Sequence, residues 1–310
     1  MRVHHGKLAP AILTPDAATR TPFQSRYAMN PLPIRTVDDA CTWALGSGLA
    51  RLDAQMLTLF VLARSPLDRA WLLAHGTDPF PTAAVAPLQA CVQRRAAGEP
   101  LAYITGTKEF YGLSLQVDAR VLDPRDDTET LVDWALELLH DLSKPAPRVV
   151  DLGTGSGAIA LALKSQCTQA QVAAVDASAD ALAVARANAQ RLGLDVQWRQ
   201  GSWLEGAPGT FDLVVSNPPY IAATDPHLEA LHHEPLTALA SGDDGLDDIR
   251  SIIAQSPAHL APGGWLLLEH GYDQAPAVRS LLTQAGFALV QSRRDLAGVA
   301  RCSGGCWPTR

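Results

Sequence analysis

The chain lacks a surplus of positive charge. Its 25 Lys and Arg stand against 32 Asp and Glu, a formal charge of −7. Proteins held to nucleic acid by phosphate contacts need the opposite balance, so broad binding of that kind is disfavoured and no direct nucleic-acid partner is expected. Long apolar runs are missing too. None reaches the roughly 18 residues that a spanning helix requires, so no membrane partner is expected. Cysteine is scarce: Cys41, Cys91, Cys167, Cys302 and Cys306 are scattered and odd in number. That pattern argues against a disulfide framework and for a reducing compartment. Cys302 and Cys306 are close enough to share a metal or a disulfide. No further ligands cluster beside them, so a tail with two plain thiols and no metal is expected. Internal repeats and long low-complexity segments are absent. With 47% hydrophobic and 18% charged residues, the 310-residue chain is globular, with room for one full-sized domain and a smaller one.

What is present changes along the chain. Residues 1–30 are rich in Pro, Thr and Ala, and carry Arg2, Lys7, Arg20 and Arg26 against Asp16 alone. They contain no apolar core of a secretory signal. An acid-poor, Arg-bearing start also suits an organelle transit peptide. A disordered extension, or a true start at Met29, is the preferred reading. Residues 31–98 have helical spacing. Thr36 is placed to cap a helix with Asp38 and Asp39 in its first turn. Leu52, Met56, Leu59, Phe60 and Ala63 recur at helical intervals, as do Leu67, Trp71 and Leu72. A further helix is expected over Pro87–Ala97, with Pro87 in its first turn and Gly98 ending it. The pattern predicts a small bundle, whose Met and aromatic residues read as core. Residues 99–130 form a bridge, in which Tyr103–Gly106 and Phe110–Val117 alternate like the strands of a hairpin. A Pro-Arg turn with acids follows at Asp123–Glu129, a solvated turn or, beside a ligand site, a lid. Thr128 opens a helix through Leu139.

From Arg148 onward, strands and helices alternate. Strands are expected at Arg148–Leu152, Gln171–Val175, Val196–Gln200, Phe211–Ser216, Gly264–Glu269 and Ala288–Arg293. Helices are expected at Ala158–Ser165, Ala179–Leu192, Leu246–Ala258 and Gln274–Ala285. Such alternation predicts an α/β doubly wound sheet with helices on both faces. Leu231–Asp244, with His232, His233, Glu234 and Pro235, reads as an excursion near the sheet's carboxyl edge.

The chemistry concentrates at strand ends. Asp151-Leu152-Gly153-Thr154-Gly155-Ser156-Gly157 follows the first strand and opens a helix. Glycines there let the backbone approach a ligand, and free N–H groups at the helix start favour anionic or polar groups. Asp176 ends the second strand, where a carboxylate can accept both hydroxyls of an adenosine ribose. The loop also fits a dinucleotide fingerprint, so by itself it leaves NAD and S-adenosylmethionine both open. Trp203, after the third strand, sits where an adenine would lie. A core role is equally compatible with its position.

Phe211–Ser216 is an apolar strand that stops at Asn217-Pro218-Pro219-Tyr220. Neither proline can donate to a sheet ladder, and the residue before a proline is kept out of helix, so a stiff loop must leave the sheet here. Hydride transfer has no use for such a loop. Methyl transfer to an amide or aromatic amine does, because that nitrogen's lone pair is delocalised and the group must be held still. The Asn217 side-chain oxygen and the Pro218 carbonyl can each accept one N–H of an NH₂ group, and Tyr220 can wall in a planar group. This pattern selects S-adenosylmethionine as the cofactor.

In order and spacing, these motifs resemble class I S-adenosylmethionine-dependent methyltransferases acting on amino groups. More closely, Glu99–Gly106, Glu109–Leu113, Pro124-Arg125 with Asp127-Thr128-Glu129, and Glu234–Leu239 resemble the peptide chain release factor N5-glutamine methyltransferases, over roughly Ala50 to Ala300. The resemblance implies a Rossmann-like sheet in residues 131–310 with a small helical N-terminal domain that helps grip the release factor. It implies methylation of the glutamine in the Gly-Gly-Gln motif of class 1 peptide chain release factors, by a cytoplasmic monomer. Catalytic residues are then Asn217, Pro218 and Tyr220. Cofactor contacts come from Gly153, Thr154, Gly155, Ser156, Gly157, Asp176, Trp203 and Asn217, and substrate contacts from Asn217, Pro218, Pro219 and Tyr220. The family usually reads Ile-Pro-Arg-Pro-Asp-Thr-Glu where this chain has Asp123-Pro124-Arg125-Asp126-Asp127-Thr128-Glu129, a more acidic and less rigid turn. Rival readings are the sister family that methylates a glutamine of a large-subunit ribosomal protein, a DNA adenine-N6 methyltransferase acting on a flipped base, and a non-enzymatic cofactor-binding module. The Asp127–Glu129 turn and Glu234–Thr237 favour the release-factor branch over the first. The negative balance disfavours the second, and the intact Asn217 loop the third.

Overall fold

The computed structural model describes residues 33–66, 68–142 and 144–309. The expected N-terminal extension and Leu67 lie outside them. The chain begins with helices α1 (Val37–Gly46), α2 (Arg51–Val61), α3 (Arg69–Ala74) and α4 (Thr82–Ala96). Thr36 caps α1 through a reciprocal pair: Asp39 N–H donates to Thr36 Oγ1 (3.1 Å), and Thr36 N–H donates to Asp39 Oδ2 (2.9 Å). Leu57, Leu59, Leu72, Leu88 and Val92 form the core of this unit. Pro87 falls inside α4 rather than in its first turn. The Ala83 carbonyl, which loses its intrahelical donor, belongs to an exposed residue where water can replace it.

The bridge departs from the sequence reading. Residues Leu101–Thr105 are a short helix, α5, not a strand; Pro100 precedes it and Gly106, at φ +72°, ends it. Tyr103 and Ile104 are both buried, but in different cores, so their alternation reflects two apolar neighbours rather than a pleat. The hairpin is β1 (Thr107–Phe110) with β2 (Leu113–Gln116). Its turn, Tyr111-Gly112 with both φ positive, sits inside the run expected to be one strand.

After α6 (Glu129–Asp141) come β3 (Arg148–Leu152), α7 (Ala158–Gln166), β4 (Gln171–Asp176), α8 (Ala179–Leu192), β5 (Gln197–Gln200), β6 (Phe211–Ser216), α9 (Asp247–Gln255), β7 (Leu260–Glu269), α10 (Ala275–Gln284), β8 (Ala288–Arg294) and β9 (Ala300–Cys306). They make a seven-stranded sheet in the order β5-β4-β3-β6-β7-β9-β8, parallel from β5 to β7 and antiparallel thereafter. The central strands bury both faces. Val149 and Val215 pack with α6, α7 and α8, while Val150 and Val214 pack with α9 and α10. The order reverses at β3, so the crevice for a ligand opens at the carboxyl ends of β3, β4 and β6.

The expected Cys-bearing tail is instead β9, inserted between β7 and β8, with Cys302 fully buried. Small residues are a packing requirement there. A Cβ on Gly304 would lie 2.5 Å from Leu267 Cδ2 and 3.0 Å from Trp134 Cη2. A strand that apart from Arg301 is Ala, Ser, Gly and Cys has none of the β-branched signature by which strands are read.

Candidate active site

The glycine loop leaves β3 bound to the next strand: the N–H groups of Gly153 and Thr154 donate to Val175 O at 2.8 and 3.0 Å. Gly153, Gly155 and Gly157 all take positive φ (+68°, +55° and +84°), a conformation other residues adopt only under strain. Gly155 N–H donates to Asp176 Oδ2 at 2.9 Å, and Ser178 N–H to Asp176 Oδ1 at 2.8 Å. These two bonds favour the charged carboxylate, but burial dominates and raises its pKa. Trp203 stands opposite, on a 3₁₀ turn after β5, with a strained φ of +47°. A Cβ on Gly153 would lie 3.2 Å from its Cζ3. Gly153, Gly155, Asp176, Trp203, Asn217 and Pro219 together line a cavity of about 340 Å³.

Thr154, Ser156 and Gly157 shape the loop from behind. Thr154 Oγ1 donates to Asp151 Oδ2 (2.6 Å), and Ser156 O accepts from Asn188 Nδ2 (3.0 Å). A Cβ on Gly157 would meet Leu161 and Trp198, both at 3.1 Å. None of the three lines the cavity. Beneath them Asp151 is wholly buried, its Oδ1 has no hydrogen-bond partner among the described residues, and burial pushes its carboxyl up to about 7.

At the end of β6, Ser216 Oγ donates to Leu152 O at 2.7 Å, which fixes the spacing between the glycine loop and the Asn-Pro-Pro-Tyr loop. Asn217 Nδ2 donates to Thr128 Oγ1 at 3.2 Å. Its Oδ1 accepts from no described residue, so the amide offers its acceptor side. Pro218 is buried. Tyr220 is anchored at three points: its N–H donates to Leu239 O (3.2 Å), its O accepts from Gln274 Nε2 (3.0 Å), and its hydroxyl lies 3.5 Å from Glu269 Oε1. Burial and the Glu269 carboxylate raise the phenol well above its ordinary range.

Two loops roof the cavity, one carrying Val121 and Leu122 and the other Pro235 and Thr237. They are clasped by Glu234, whose Oε1 takes Arg125 Nη2 at 2.5 Å and whose Oε2 takes Asp123 N–H at 3.2 Å. The Pro-Arg turn and the His-His-Glu-Pro excursion are thus halves of one structure. A larger cleft of about 430 Å³, between α6 and β8, is lined by Asp126, Asp127 and Glu129 of that turn but by no residue of the glycine loop or the Asn-Pro-Pro-Tyr loop.

The Methyltransferase small domain family matches residues 129–284, and the PrmC N-terminal domain family matches residues 44–106. A release factor glutamine methyltransferase of Bordetella pertussis is 52% identical over 262 residues, covering 83% of this chain and 95% of that one. The chain belongs to the release factor glutamine methyltransferase family. The protein of that description from Xylella fastidiosa strain Temecula1 is 51% identical, covering 83% of this chain and 94% of that one, and the one from Yersinia pestis is 45% identical, covering 82% and 91%. Among solved structures, the hMettl16 catalytic domain in complex with MAT2A 3'UTR hairpin 1 shares the fold, with a TM-score of 0.53, 17% identity, and coverage of 77% of this chain and 85% of that one.

Sequence motifs for the family point to the loops but not to everything behind them. Glu269, at the end of β7, is a buried carboxyl beside the Tyr220 hydroxyl. Its signal in the sequence is a lone acid closing the apolar run Leu266-Leu267-Leu268. Burial pushes it up to about 7, opposed by the Thr128 hydroxyl and the positive charge of Arg301. Gly245, likewise unremarked, backs the Tyr220 carbonyl so closely that a Cβ there would lie 2.2 Å from it.

The cavity fits S-adenosylmethionine. A carboxylate at the end of β4 suits a vicinal diol, the Trp203 indole suits a flat ring, and glycines at Gly153 and Gly155 leave room for backbone approach. The volume is in the range of sites for molecules of that size.

Proposed function

We propose that this chain transfers the methyl group of S-adenosylmethionine to the side-chain amide nitrogen of the glutamine in the Gly-Gly-Gln motif of class 1 release factors. The observation that carries the reading is the Asn217 oxygen, unpaired among the described residues, on the wall of the cavity that Asp176 and Trp203 also line. S-adenosylmethionine, when bound, supplies a methyl group on a positively charged sulfur. Asp176 would hold its ribose and Trp203 its adenine. The chain's own work is on the amide. Asn217 Oδ1 and the Pro218 carbonyl accept the two N–H bonds of the glutamine side chain and fix its plane. Orientation of this kind supplies much of the rate when the nucleophile is weak. Pro218 and Pro219 keep their loop stiff and offer no competing N–H. The Tyr220 ring closes the site, and the roof clasped by Glu234 limits access of water.

The helices α1–α4 serve, in this reading, to grip the release factor. Leu45, Leu52, Phe60 and Leu73 are exposed on them, apolar surface of the kind used for protein contacts. We place the reaction in the cytoplasm, in keeping with five cysteines that are all free. No helix among the described residues is long and apolar enough to cross a membrane.

The test is substrate choice. The protein is incubated with methyl-labelled S-adenosylmethionine and, separately, with purified class 1 release factor, large-subunit ribosomal proteins and duplex DNA. Label on the release factor alone supports the proposal. Label on a ribosomal protein or on DNA instead moves the chain's activity to another acceptor.

A further inference from the structure

Glu269 ends β7, the strand beside β6, whose own end carries Asn217. Its side chain is buried, at 1% exposure, and its Oε2 has no hydrogen-bond partner among the described residues. The Tyr220 hydroxyl lies 3.5 Å from its Oε1, and the Thr128 hydroxyl is near enough to favour the charged form of the carboxyl. The same Thr128 oxygen accepts from Asn217 Nδ2 at 3.2 Å. Thr128 itself is 4% exposed, so no bulk water competes for it. One hydroxyl therefore stands between a carboxyl group and the amide that faces the substrate.

A hydroxyl has one hydrogen, and an ionised carboxylate can only accept. A Thr128 hydroxyl that serves the ionised Glu269 gives its hydrogen to the carboxylate and its lone pair to Asn217. The Asn217 amide responds by turning its NH₂ group inward and its oxygen to the cavity. A protonated Glu269 permits the reverse. It donates to Thr128, Thr128 donates to Asn217, and the amide flips its NH₂ group outward. Two donors would then face the NH₂ of a glutamine, which also donates, and the clamp would be lost.

We propose that Glu269, acting through Thr128, is a positioning residue that decides whether the oxygen or the NH₂ group of Asn217 meets the substrate. This rests on the amide-methylation reading above. Glu269 is surrounded by groups that set its charge. Asp127 comes from the turn before α6, Arg301 and the Cys302 thiol from β9, and Tyr220 from the loop after β6. Arg301 is held in place by Asp127 and Asp295, both at 3.0 Å. His270, the next residue along, turns away to Ser303 Oγ at 2.7 Å. Burial brings the carboxyl up to about 7, so the relay reverses within the range in which an enzyme is assayed.

The experiment measures methyl transfer to release factor between pH 6 and 9 for the wild type, Thr128→Val, Thr128→Ser and Glu269→Gln, together with S-adenosylmethionine affinity. Wild-type kcat should rise with pH through about 7, where the ionised carboxylate takes over. Thr128→Val keeps the shape but loses the hydroxyl. Its kcat should fall roughly 100-fold, as for a misdirected substrate, with cofactor affinity unchanged and the acid limb gone. Thr128→Ser should restore most of the rate and the limb. Glu269→Gln cannot ionise, and its amide can either donate to Thr128 or accept from it, so its rate should not change through about pH 7. If that variant does not fold, the Thr128 pair still decides. An active wild type with Thr128→Val at full kcat, or with Thr128→Ser as poor as Val, overturns the relay alone. A wild type that methylates no glutamine overturns the underlying reading, and the relay with it.

Discussion

Gly245 tests how the Asn-Pro-Pro-Tyr loop is held. It is buried, outside the recognised motifs, with φ at +75°. An added Cβ would lie 2.2 Å from Tyr220 O and 2.8 Å from Gln274 Nε2, the donor that holds that same oxygen. Ordinary contact begins near 3.4 Å, so Gly245→Ala must displace the Tyr220 backbone or its own loop by more than an ångström. The left-handed backbone adds about 1–2 kcal/mol of strain for any residue with a Cβ. A misplacement of about 1 Å at reacting groups costs on the order of 100-fold in rate. The expected result is therefore a kcat lower by that order, modest destabilisation, and S-adenosylmethionine affinity close to wild type, because Gly153, Asp176 and Trp203 lie on other strand ends. Gly193→Ala is the control. It carries the same backbone strain, with φ at +67°, but its Cβ would have nothing within 4 Å. It should be destabilised to a similar degree with kcat unchanged. Steady-state methyl transfer and urea unfolding on both variants read this out. Wild-type kcat in Gly245→Ala, or equal loss of kcat in both variants, would refute the idea that this contact sets the loop.

Other perturbations address the rest of the site. Glu234→Ala removes the clasp between the two roofing loops and leaves Arg125 the longer contact to Asp123, at 3.7 Å; charge-assisted bonds of about 1.5–3 kcal/mol translate into a cofactor affinity weaker by about 10- to 150-fold, measurable by calorimetry. Asp176→Ala removes the acceptor at the end of β4 and the partner of Gly155 N–H; S-adenosylmethionine should bind at least about 10-fold more weakly, with less effect on the rate at saturation. Stability should fall as pH rises from about 4 to about 7, because Asp151 and Glu269 retain protons in the fold up to about 7 while the unfolded chain has already released them. Urea midpoints at pH 5 and pH 8 check the sign, and Asp151→Asn should shrink the difference.

Much of the fold was legible because its signals are local. An apolar run that halts at Asn217 and two prolines, and a glycine loop with Asp176 in register, each announce a strand end without help from the rest of the chain. Where burial depends on distant partners, sequence fails. β9 is a strand of small residues because Leu267 and Trp134 leave no room over Gly304, a fact that exists only once the sheet is assembled. Tyr103 and Ile104 alternate because α5 lies between two cores, and the pattern is the same as that of a half-buried strand. The residues behind the site are hidden for a related reason. Thr128 and Glu269 meet Asn217 and Tyr220 only because β6 and β7 are neighbours and the start of α6 packs across their ends. The Arg125–Glu234 clasp spans 109 residues of sequence, so one half reads alone as a solvated turn or lid and the other as an excursion near the sheet's carboxyl edge.

The most direct measurement is intact-mass and peptide mass spectrometry on class 1 release factor after incubation with this protein and S-adenosylmethionine, beside an Asn217→Ala reaction. One added methyl group on the Gly-Gly-Gln glutamine with the wild type, and none with Asn217→Ala at unchanged fold and largely retained cofactor binding, is the predicted result. Full methylation by Asn217→Ala would contradict the amide clamp, and an unmodified release factor with the wild type would contradict the choice of substrate.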